Sequence, residues 1–442
     1  MNPPGTFRFR PERRLFANVA ALGAIQVCRK TLPMLTLPYL ARVLGSEAWG
    51  LVTFFQSFAA CGIVAIEFGF SLSASRDVAR NRGDKKKLAE VTAGVFGAQL
   101  GLAALVILST LAAGLCIAPL RHHPLFTGAA LVWSVAEGCS PFWYFLGLEE
   151  MGLIAALEIS TKLVAAAGVF LLVHAAADAP RVIMLQAAAS GLALGVGLLM
   201  IRRRHPLLTL ARDSVRHAFK VGWPMFALRS AESLYTAGNG FLLGVLSTPY
   251  LVAYFAGPEK ISRALFGLFN PLRDALYPRL SSLTPNSPRQ AARLAWIGTV
   301  LTTAGGLLIG VAVYIFAPRL VLLAMGPGFA PAIPVLRILA VLPVVRAITQ
   351  SASLQWLLPH GKEGTFIRVT LVAAAVHLVL VGIFARRYTY VGMAWIVLVS
   401  ETLVCLLSVA AARKMVRSKP APPPSAEEMV LAEVAVSPEC GA

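Results

Sequence analysis

Residues 90–117 read EVTAGVFGAQLGLAALVILSTLAAGLCI, and after Glu90 nothing in the stretch is charged. At 1.5 Å per helical residue it is long enough to cross a hydrocarbon layer about 30 Å thick. A helix apolar on every side has no solvated face, which is the signature of a lipid environment or a deep core. Comparable blocks recur near 16–41, 48–72, 124–147, 151–174, 180–201, 218–246, 250–278, 291–317, 331–358, 364–385 and 390–412. The fold expected from these blocks is all-α: a polytopic membrane protein of about 12 transmembrane helices.

Composition points the same way. The chain has 442 residues, of which 57% are hydrophobic and 14% charged, against about 25% charged in an average soluble domain. The net charge of +19 would suggest nucleic acid in a soluble protein. Here most Lys and Arg sit in short connections, where membrane topology and attraction to anionic lipid heads account for them. Membrane lipids are therefore expected partners, and nucleic acid is not, since no basic, aromatic-interleaved module is present.

Cys28, Cys61, Cys116, Cys139, Cys405 and Cys440 have neither metal nor redox spacing, so no disulfide framework or metal site is expected. None of GxxxxGK[ST], HExxH, CxxC or GxSxG occurs. No catalytic residue and no cofactor is therefore expected, beyond a coupling ion such as H+ or Na+. His122-His123 reads as an exposed pair and Glu149-Glu150 as a solvated turn. Arg8, Arg10, Arg13 and Arg14 precede an apolar stretch as in a signal peptide, but that stretch carries Arg29 and Lys30 and fills a whole span. An uncleaved first helix is expected.

Twelve spans place both termini on one side. The connections on that side hold Arg76, Arg80, Arg82, Lys85, Lys86, Lys87, Arg202, Arg203, Arg204, Arg212, Arg216 and Lys220, then Arg279, Arg289, Arg293, Lys362, Arg413, Lys414, Arg417 and Lys419. The other side offers Arg42, Arg121, Arg181, Arg319, Arg386 and Arg387. Both termini are expected to be cytoplasmic. The basic connection at 202–217 lies at the midpoint and divides the chain into a six-helix lobe at 16–201 and another at 218–412, around a central cavity. Residues 1–15 form a cytoplasmic N-terminal segment. An offset of 202 residues pairs Val43-Leu44-Gly45 with Val245-Leu246-Ser247, a weak repeat consistent with two parallel lobes. Residues 413–442, with Pro420 and Pro422-Pro423-Pro424, read as a disordered cytoplasmic tail.

Charges at membrane depth need a reason, because burying one costs a few kcal/mol or more. The deep positions are Arg29, Lys30, Lys162, Arg229, Lys260, Arg263, Arg337 and Arg346, against Glu137, Glu158, Glu232, Glu259 and Glu401. Local pairing would join Glu158 with Lys162, Glu259 with Arg263 and Arg229 with Glu232. Arg29, Lys30 and Arg346 have no local carboxylate, and Arg337 can snorkel. Asn18, Gln26, Arg29, Lys30 and Pro33 form a stripe down span 1, where Pro33 and Pro38 should bend the helix. Span 7 repeats the pattern with Pro224, Arg229, Glu232, Ser233, Thr236 and Asn239. A cavity with surplus positive charge suits phosphate or pyrophosphate. Trp133, Trp143, Tyr144, Tyr235 and Trp356 could stack on sugars, with core or interfacial packing the favoured alternative.

The run from Asn18 to Gly50, with Leu37-Pro38-Tyr39-Leu40-Ala41-Arg42-Val43-Leu44-Gly45 and Glu47-Ala48-Trp49-Gly50, resembles the first hairpin of the polysaccharide transporter family. These are O-antigen-type flippases of the multidrug/oligosaccharidyl-lipid/polysaccharide superfamily. Glu67-Phe68-Gly69-Phe70, Ala253-Tyr254-Phe255-Ala256, Ala275-Leu276-Tyr277-Pro278-Arg279 and Gln355-Trp356-Leu357-Leu358-Pro359-His360-Gly361 are similar too. Pro249 departs from the usual small polar or acidic residue, and Glu67 from the common aspartate.

The resemblance implies alternating access between two lobes in a bacterial inner membrane. It also implies a polyprenyl-pyrophosphate-linked oligosaccharide as substrate, with a polysaccharide polymerase and chain-length or export proteins as candidate partners. Together with the charge pattern it nominates Arg29, Lys30, Arg229 and Arg346, then Arg263 and Lys260, as substrate-binding cations. Asn18, Gln26, Thr236 and Asn239 would line the cavity, and Glu232, Glu137 and Glu401 are candidate coupling carboxylates. A cation-coupled drug or metabolite antiporter of the same superfamily and a non-transporting scaffold of glycan assembly are the alternatives.

Overall fold

A computed structural model describes residues 11–205, 211–267, 276, 279–280, 282–283, 287–357 and 363–417; the side chains of residues 11–22, 29, 30, 288, 354, 363, 386–388 and 415–417 fall outside the description. All regular structure among the described residues is helical. In chain order the helices are α1 (Pro11–Glu67), α2 (Phe70–Arg80), α3 (Lys85–Cys116), α4 (Ala118–His122), α5 (Pro124–Gly138), α6 (Phe142–Leu148), α7 (Met151–Leu172) and α8 (Ala179–Arg204). There follow α9 (Arg212–Leu234), α10 (Asn239–Leu246), α11 (Pro249–Phe266), α12 (Pro288–Met325), α13 (Ile333–Leu339), α14 (Leu342–Gln350) and α15 (Glu363–Arg417).

Eight described stretches are long and apolar enough to cross a membrane. One of them, Gly23–Arg80, is 58 residues long, far more than the ~20 residues one crossing needs, so it must cross twice. The chain turns at Gly45, whose φ of 70° leaves the helix and is accessible to glycine without the Cβ penalty. Pro33 and Pro38 lie within helix, and the break at Gly45 falls between the expected spans 16–41 and 48–72. Thr389, with φ 52°, divides α15 in the same way.

The remaining expected spans are interrupted. Pro141 has no N–H to give the Glu137 carbonyl, which takes the Ser140 N–H at 3.2 Å instead, and the span at 124–147 divides into α5 and α6. The span at 218–246 divides at Tyr235–Gly238, where Ser233 O accepts from Thr236 N at 3.2 Å and Gly238 N at 2.8 Å. The span at 331–358 comprises a 3-10 turn (Pro327–Ala332), α13, α14 and a π-helical turn (Ser351–Leu357). Helical segments occupy all the expected span positions, with the end of span 8 outside the described residues. The midpoint connection is helical to Arg204 and again from Arg212, and α15 runs to Arg417, so both are shorter than expected. Residues 418–442 lie outside the described residues.

The surface is inverted relative to a soluble protein. Leu108, Leu115, Leu171, Leu308, Leu323 and Trp296 are among many large apolar side chains left exposed, a surface only lipid would cover. The protein is an all-α polytopic membrane protein.

Inside, one apolar core draws on both halves of the chain, including Leu37, Trp49, Phe54, Phe55, Phe126, Phe255 and Phe329. At the Gly45 end, the Trp49 and Phe329 rings meet in a T-shaped pair with centroids 5.7 Å apart, and Arg42 donates to the Leu323 carbonyl at 2.5 Å. Gly50 sits against the Pro249 carbonyl, Gly240 against Ser57 and Gly244 against the Phe54 ring. Such small residues let helices approach closely where lipid offers no hydrophobic drive. At the other end Phe68 stacks on Phe226 at 4.3 Å, and His217 lies 3.4 Å from Asp77. The two halves of the chain are thus in contact at both ends.

These close approaches give a test of the packing. Gly50→Ala and Gly244→Ala each force a methyl into backbone or ring, and each should cost about 1–3 kcal/mol. In thermal unfolding of detergent-solubilised protein both should melt earlier. Gly101→Ala, which faces open space, should not.

Candidate functional site

A polar region with buried members lies in the second half, around the break between α9 and α10. The break frees backbone groups that side chains recover: Thr236 Oγ1 donates to the Glu232 carbonyl at 2.6 Å and Asn239 Nδ2 to the Tyr235 carbonyl at 3.1 Å. Asn239 Nδ2 also donates to Glu259 Oε1 at 3.1 Å, and that oxygen accepts from Arg263 Nη2 at 2.7 Å. The helical i,i+4 spacing of α11 brings that pair together, as expected from the sequence.

Arg346 of α14 reaches Glu401 in the second arm of α15, with Nε at 3.0 Å and Nη2 at 2.7 Å from one carboxylate oxygen. The two side chains are 12% and 7% exposed. Glu259 lies within electrostatic reach of Arg346, and Tyr235 within reach of Arg346, Glu401 and Glu232. Helices α9, α10, α11, α14 and α15 therefore converge on one charged cluster. It explains how Arg346, which has no local acid in the sequence, is accommodated: its partner is 55 residues away.

A second arrangement joins the two halves. Lys260 Nζ donates to Gln56 Oε1 at 2.8 Å and lies 5.2 Å from the Trp49 ring centroid. Gln56 Nε2 is in turn 3.5 Å from Gln186 Oε1. An ammonium from α11 is thus held by an amide and an aromatic face from α1.

The first half has its own ionic group. Lys162 is 3.3 Å from Glu137, whose other oxygen accepts from Ser190 Oγ at 2.6 Å. This corrects the expected pairing within α7: Lys162 reaches across to α5 rather than along its own helix to Glu158, which is itself buried. Glu149 and Glu150, expected in a solvated turn, are paired with Arg82 at 2.8 Å and Arg204 at 2.6 Å.

The other expected site residues are dispersed. Arg229 and Glu232 are both exposed on α9, and no ion pair joins them among the described residues. Gln26 is exposed on the first arm of α1. The side chains of Asn18, Arg29 and Lys30 lie outside the described residues. Arg337 is exposed, 5.7 Å from the Tyr314 ring centroid. Among the deep charges whose side chains are described, Lys162, Arg263 and Arg346 are held by carboxylates and Lys260 by the Gln56 amide. Trp143 and Tyr144 are core residues, 1% exposed, rather than sugar platforms. Gln56, Gln186, Ser190 and the buried pair His377–Ser400 were not singled out by the sequence, although a lone amide or imidazole in an apolar block is itself a signal.

The Arg346–Glu401 pair makes a stability prediction. Glu401→Gln strands a buried guanidinium and should destabilise by about 3–5 kcal/mol, whereas the double change Arg346→Leu with Glu401→Leu removes both charges and should cost less. Thermal unfolding of both variants in detergent should rank them in that order.

Residues 15–284 match the family model described as "Polysaccharide biosynthesis protein". The chain is 28% identical over 403 residues to a protein of Escherichia coli (strain K12) named "Putative O-antigen transporter", covering 88% of this chain and 94% of that one. It is 23% identical over 409 residues to a Shigella dysenteriae protein of the same name, covering 90% and 99%. Its fold is similar to that of the lipid II flippase MurJ in an inward closed conformation, with a TM-score of 0.66 at 13% identity over 88% of this chain and 87% of that one. It is also similar to an inward-facing multidrug resistance transporter of the MATE family, with a TM-score of 0.60 at 15% identity over 88% of this chain and 100% of that one. With well over half of its length matched by the family model, this all-α polytopic membrane protein belongs to the polysaccharide biosynthesis protein family.

Proposed function

We propose that the chain is a flippase that carries polyprenyl-pyrophosphate-linked oligosaccharide units from the cytoplasmic to the outer leaflet of a bacterial inner membrane, for surface polysaccharide assembly. The names of its relatives and the flippase among its structural neighbours support a transporter of lipid-linked cargo. The observation that carries the reading is Lys260. Its ammonium bridges the two halves of the chain through the Gln56 amide and the Trp49 ring, next to the Glu259 carboxylate. A phosphate oxygen is a stronger partner for an ammonium than either, because both members of the bond would then be charged.

In this reading the lobes at 16–201 and 218–412 enclose a central cavity and open alternately, with both termini cytoplasmic. Lys260 and Arg263 contact the pyrophosphate, and Arg29, Lys30, Arg229 and Arg346 add to the field that draws it in. Asn18, Gln26, Thr236 and Asn239 face the glycan. Glu137, Glu232 and Glu401 are the carboxylates available to a coupling H+ or Na+, and a polymerase with chain-length or export proteins would receive the product. The excess of cations over carboxylates among the deep positions of the sequence favours anionic cargo over the cations of a drug antiporter.

Disrupting the gene should leave lipid-linked repeat units on the cytoplasmic leaflet, and restoring the wild-type chain should clear them. Normal export in the disrupted strain would refute the flippase reading. Lys260→Ala, which loses a charge-assisted bond worth about 1.5–3 kcal/mol, should lower export by roughly tenfold or more at unchanged protein level. Lys260→Arg should retain part of it. Unchanged export in Lys260→Ala, Arg29→Ala and Lys30→Ala would remove the cationic site.

A further inference from the structure

Gln56 lies midway along the arm of α1 between Gly45 and Glu67, and Gln186 meets it from α8. A primary amide at membrane depth is costly unless its polar atoms are used. The Gln56 oxygen is used, since it accepts from Lys260 Nζ at 2.8 Å. The contact between the two amides, Gln56 Nε2 to Gln186 Oε1, is 3.5 Å long, and so weaker than a hydrogen bond of the usual length of about 2.9–3.0 Å. Among the described residues no hydrogen bond takes up the Gln186 Nε2 hydrogens, and both glutamines are partly exposed. Two amides thus stand side by side with a weak bond between them and donors to spare.

The polar line continues down α8. Ser190 stands one helical turn beyond Gln186 on the same face, and it donates to Glu137 Oε2 at 2.6 Å. Glu137 in turn holds Lys162, midway along the 22 residues of α7. The lysine and glutamate side chains are 27% and 20% exposed. A charged pair exposed at that depth does not face lipid, which would leave it unsolvated, so it faces a polar recess within the protein. The line that begins at the Lys260 ammonium therefore runs through the first half of the chain beside such a recess.

Beyond Lys260 the one cation on this line is Lys162, already held by a carboxylate. An acidic sugar would find no free cation there. The glutamine amides instead offer neutral donors and acceptors, which match hydroxyl and acetamido groups that also donate and accept.

We propose that Gln56 and Gln186 bind the sugar joined directly to the pyrophosphate, that this sugar is uncharged, and that the recess toward Ser190 and Glu137 receives the sugars after it. This rests on the flippase reading and adds to it a means of telling a loaded carrier lipid from a bare one. With the pyrophosphate on Lys260, the first sugar falls beside the amide that Lys260 holds. A ring hydroxyl between the two amides replaces their long contact with two shorter bonds. A bare carrier leaves those amides unmatched, so the site favours the loaded lipid.

The test uses the full chain in lipid nanodiscs, with binding read by native mass spectrometry. Four probes are compared: polyprenyl pyrophosphate alone, and the same lipid bearing one glucose, one N-acetylglucosamine or one glucuronic acid. Wild type should bind at least one of the two uncharged glycolipids about tenfold more tightly than the bare carrier, as two neutral hydrogen bonds would give. The glucuronic acid lipid should bind no more tightly than the bare carrier. Gln186→Met and Gln186→Leu, shown to be folded by thermal unfolding, should bind the bare carrier as wild type does and bring the preference for sugar to within about twofold of unity.

A wild type that does not distinguish loaded from bare carrier, or that prefers the glucuronic acid lipid, would overturn the proposal. So would a folded variant that keeps the preference. Affinities for bare and loaded lipid that fall together in the variants would show Gln186 to be a brace between α1 and α8, and would overturn it as well. If wild type binds none of the four lipids, the flippase reading itself fails and the sugar subsite goes with it.

Discussion

In a hydrocarbon layer a polar group has only the protein to pair with, and everything informative in this structure follows from that constraint. The apolar helices meet it trivially, by closing their own backbone hydrogen bonds. The interesting segments are those that do not, and at two of them freed groups are taken up by nearby backbone N–H groups and by particular side chains. Gln99 donates to the Gly138 carbonyl at 3.0 Å beside the Pro141 interruption, and Asn239 and Thr236 close the break in α9–α10. The breaks are therefore organised sites rather than frayed ends, and the charged cluster of the second half is built around one of them.

The same constraint separates the cations at membrane depth into two kinds. Arg263 and Arg346 are held by carboxylates, and an incoming anion would have to displace Glu259 or Glu401 to reach them. Lys260 is held by an amide and an aromatic ring, which are far weaker competitors. Charge at depth is thus a poor guide to ligand contact unless its partner is known, and the partner is a tertiary fact.

That distinction also sets what the sequence could yield. The positions of the helical segments were legible, because a run such as 90–117 has no alternative environment. So was the Glu259–Arg263 pair, since i,i+4 neighbours on a helix meet whatever the tertiary fold. The interhelical pairs were not: Lys162 with Glu137 and Arg346 with Glu401 depend on which faces of separate helices meet, and no local spacing encodes that. The turn in α1 was legible too, since Gly45, with φ 70°, lies between the expected spans 16–41 and 48–72.

The contacts between the halves differ at the two ends, and the difference bears on how they could part. At the Gly45 end the helices meet through glycines, with Gly50, Gly240 and Gly244 set against backbone or side chain of the other half. Such a contact gains by dispersion over a close fit and loses it abruptly with small separation. At the opposite end Phe68, Phe219, Trp223 and Phe226 form a ring cluster with centroids 4.3–6.1 Å apart, and aromatic rings can slide between stacked and tilted geometries while staying in contact. Lys260 and Gln56 lie on the glycine-lined side of the junction, in the same helices as Gly50 and Gly257. A ligand that takes Lys260 from Gln56 and Trp49 would therefore act on the end least able to yield gradually. Between two such ends, a two-state movement of the halves is a more natural response to ligand than a graded one.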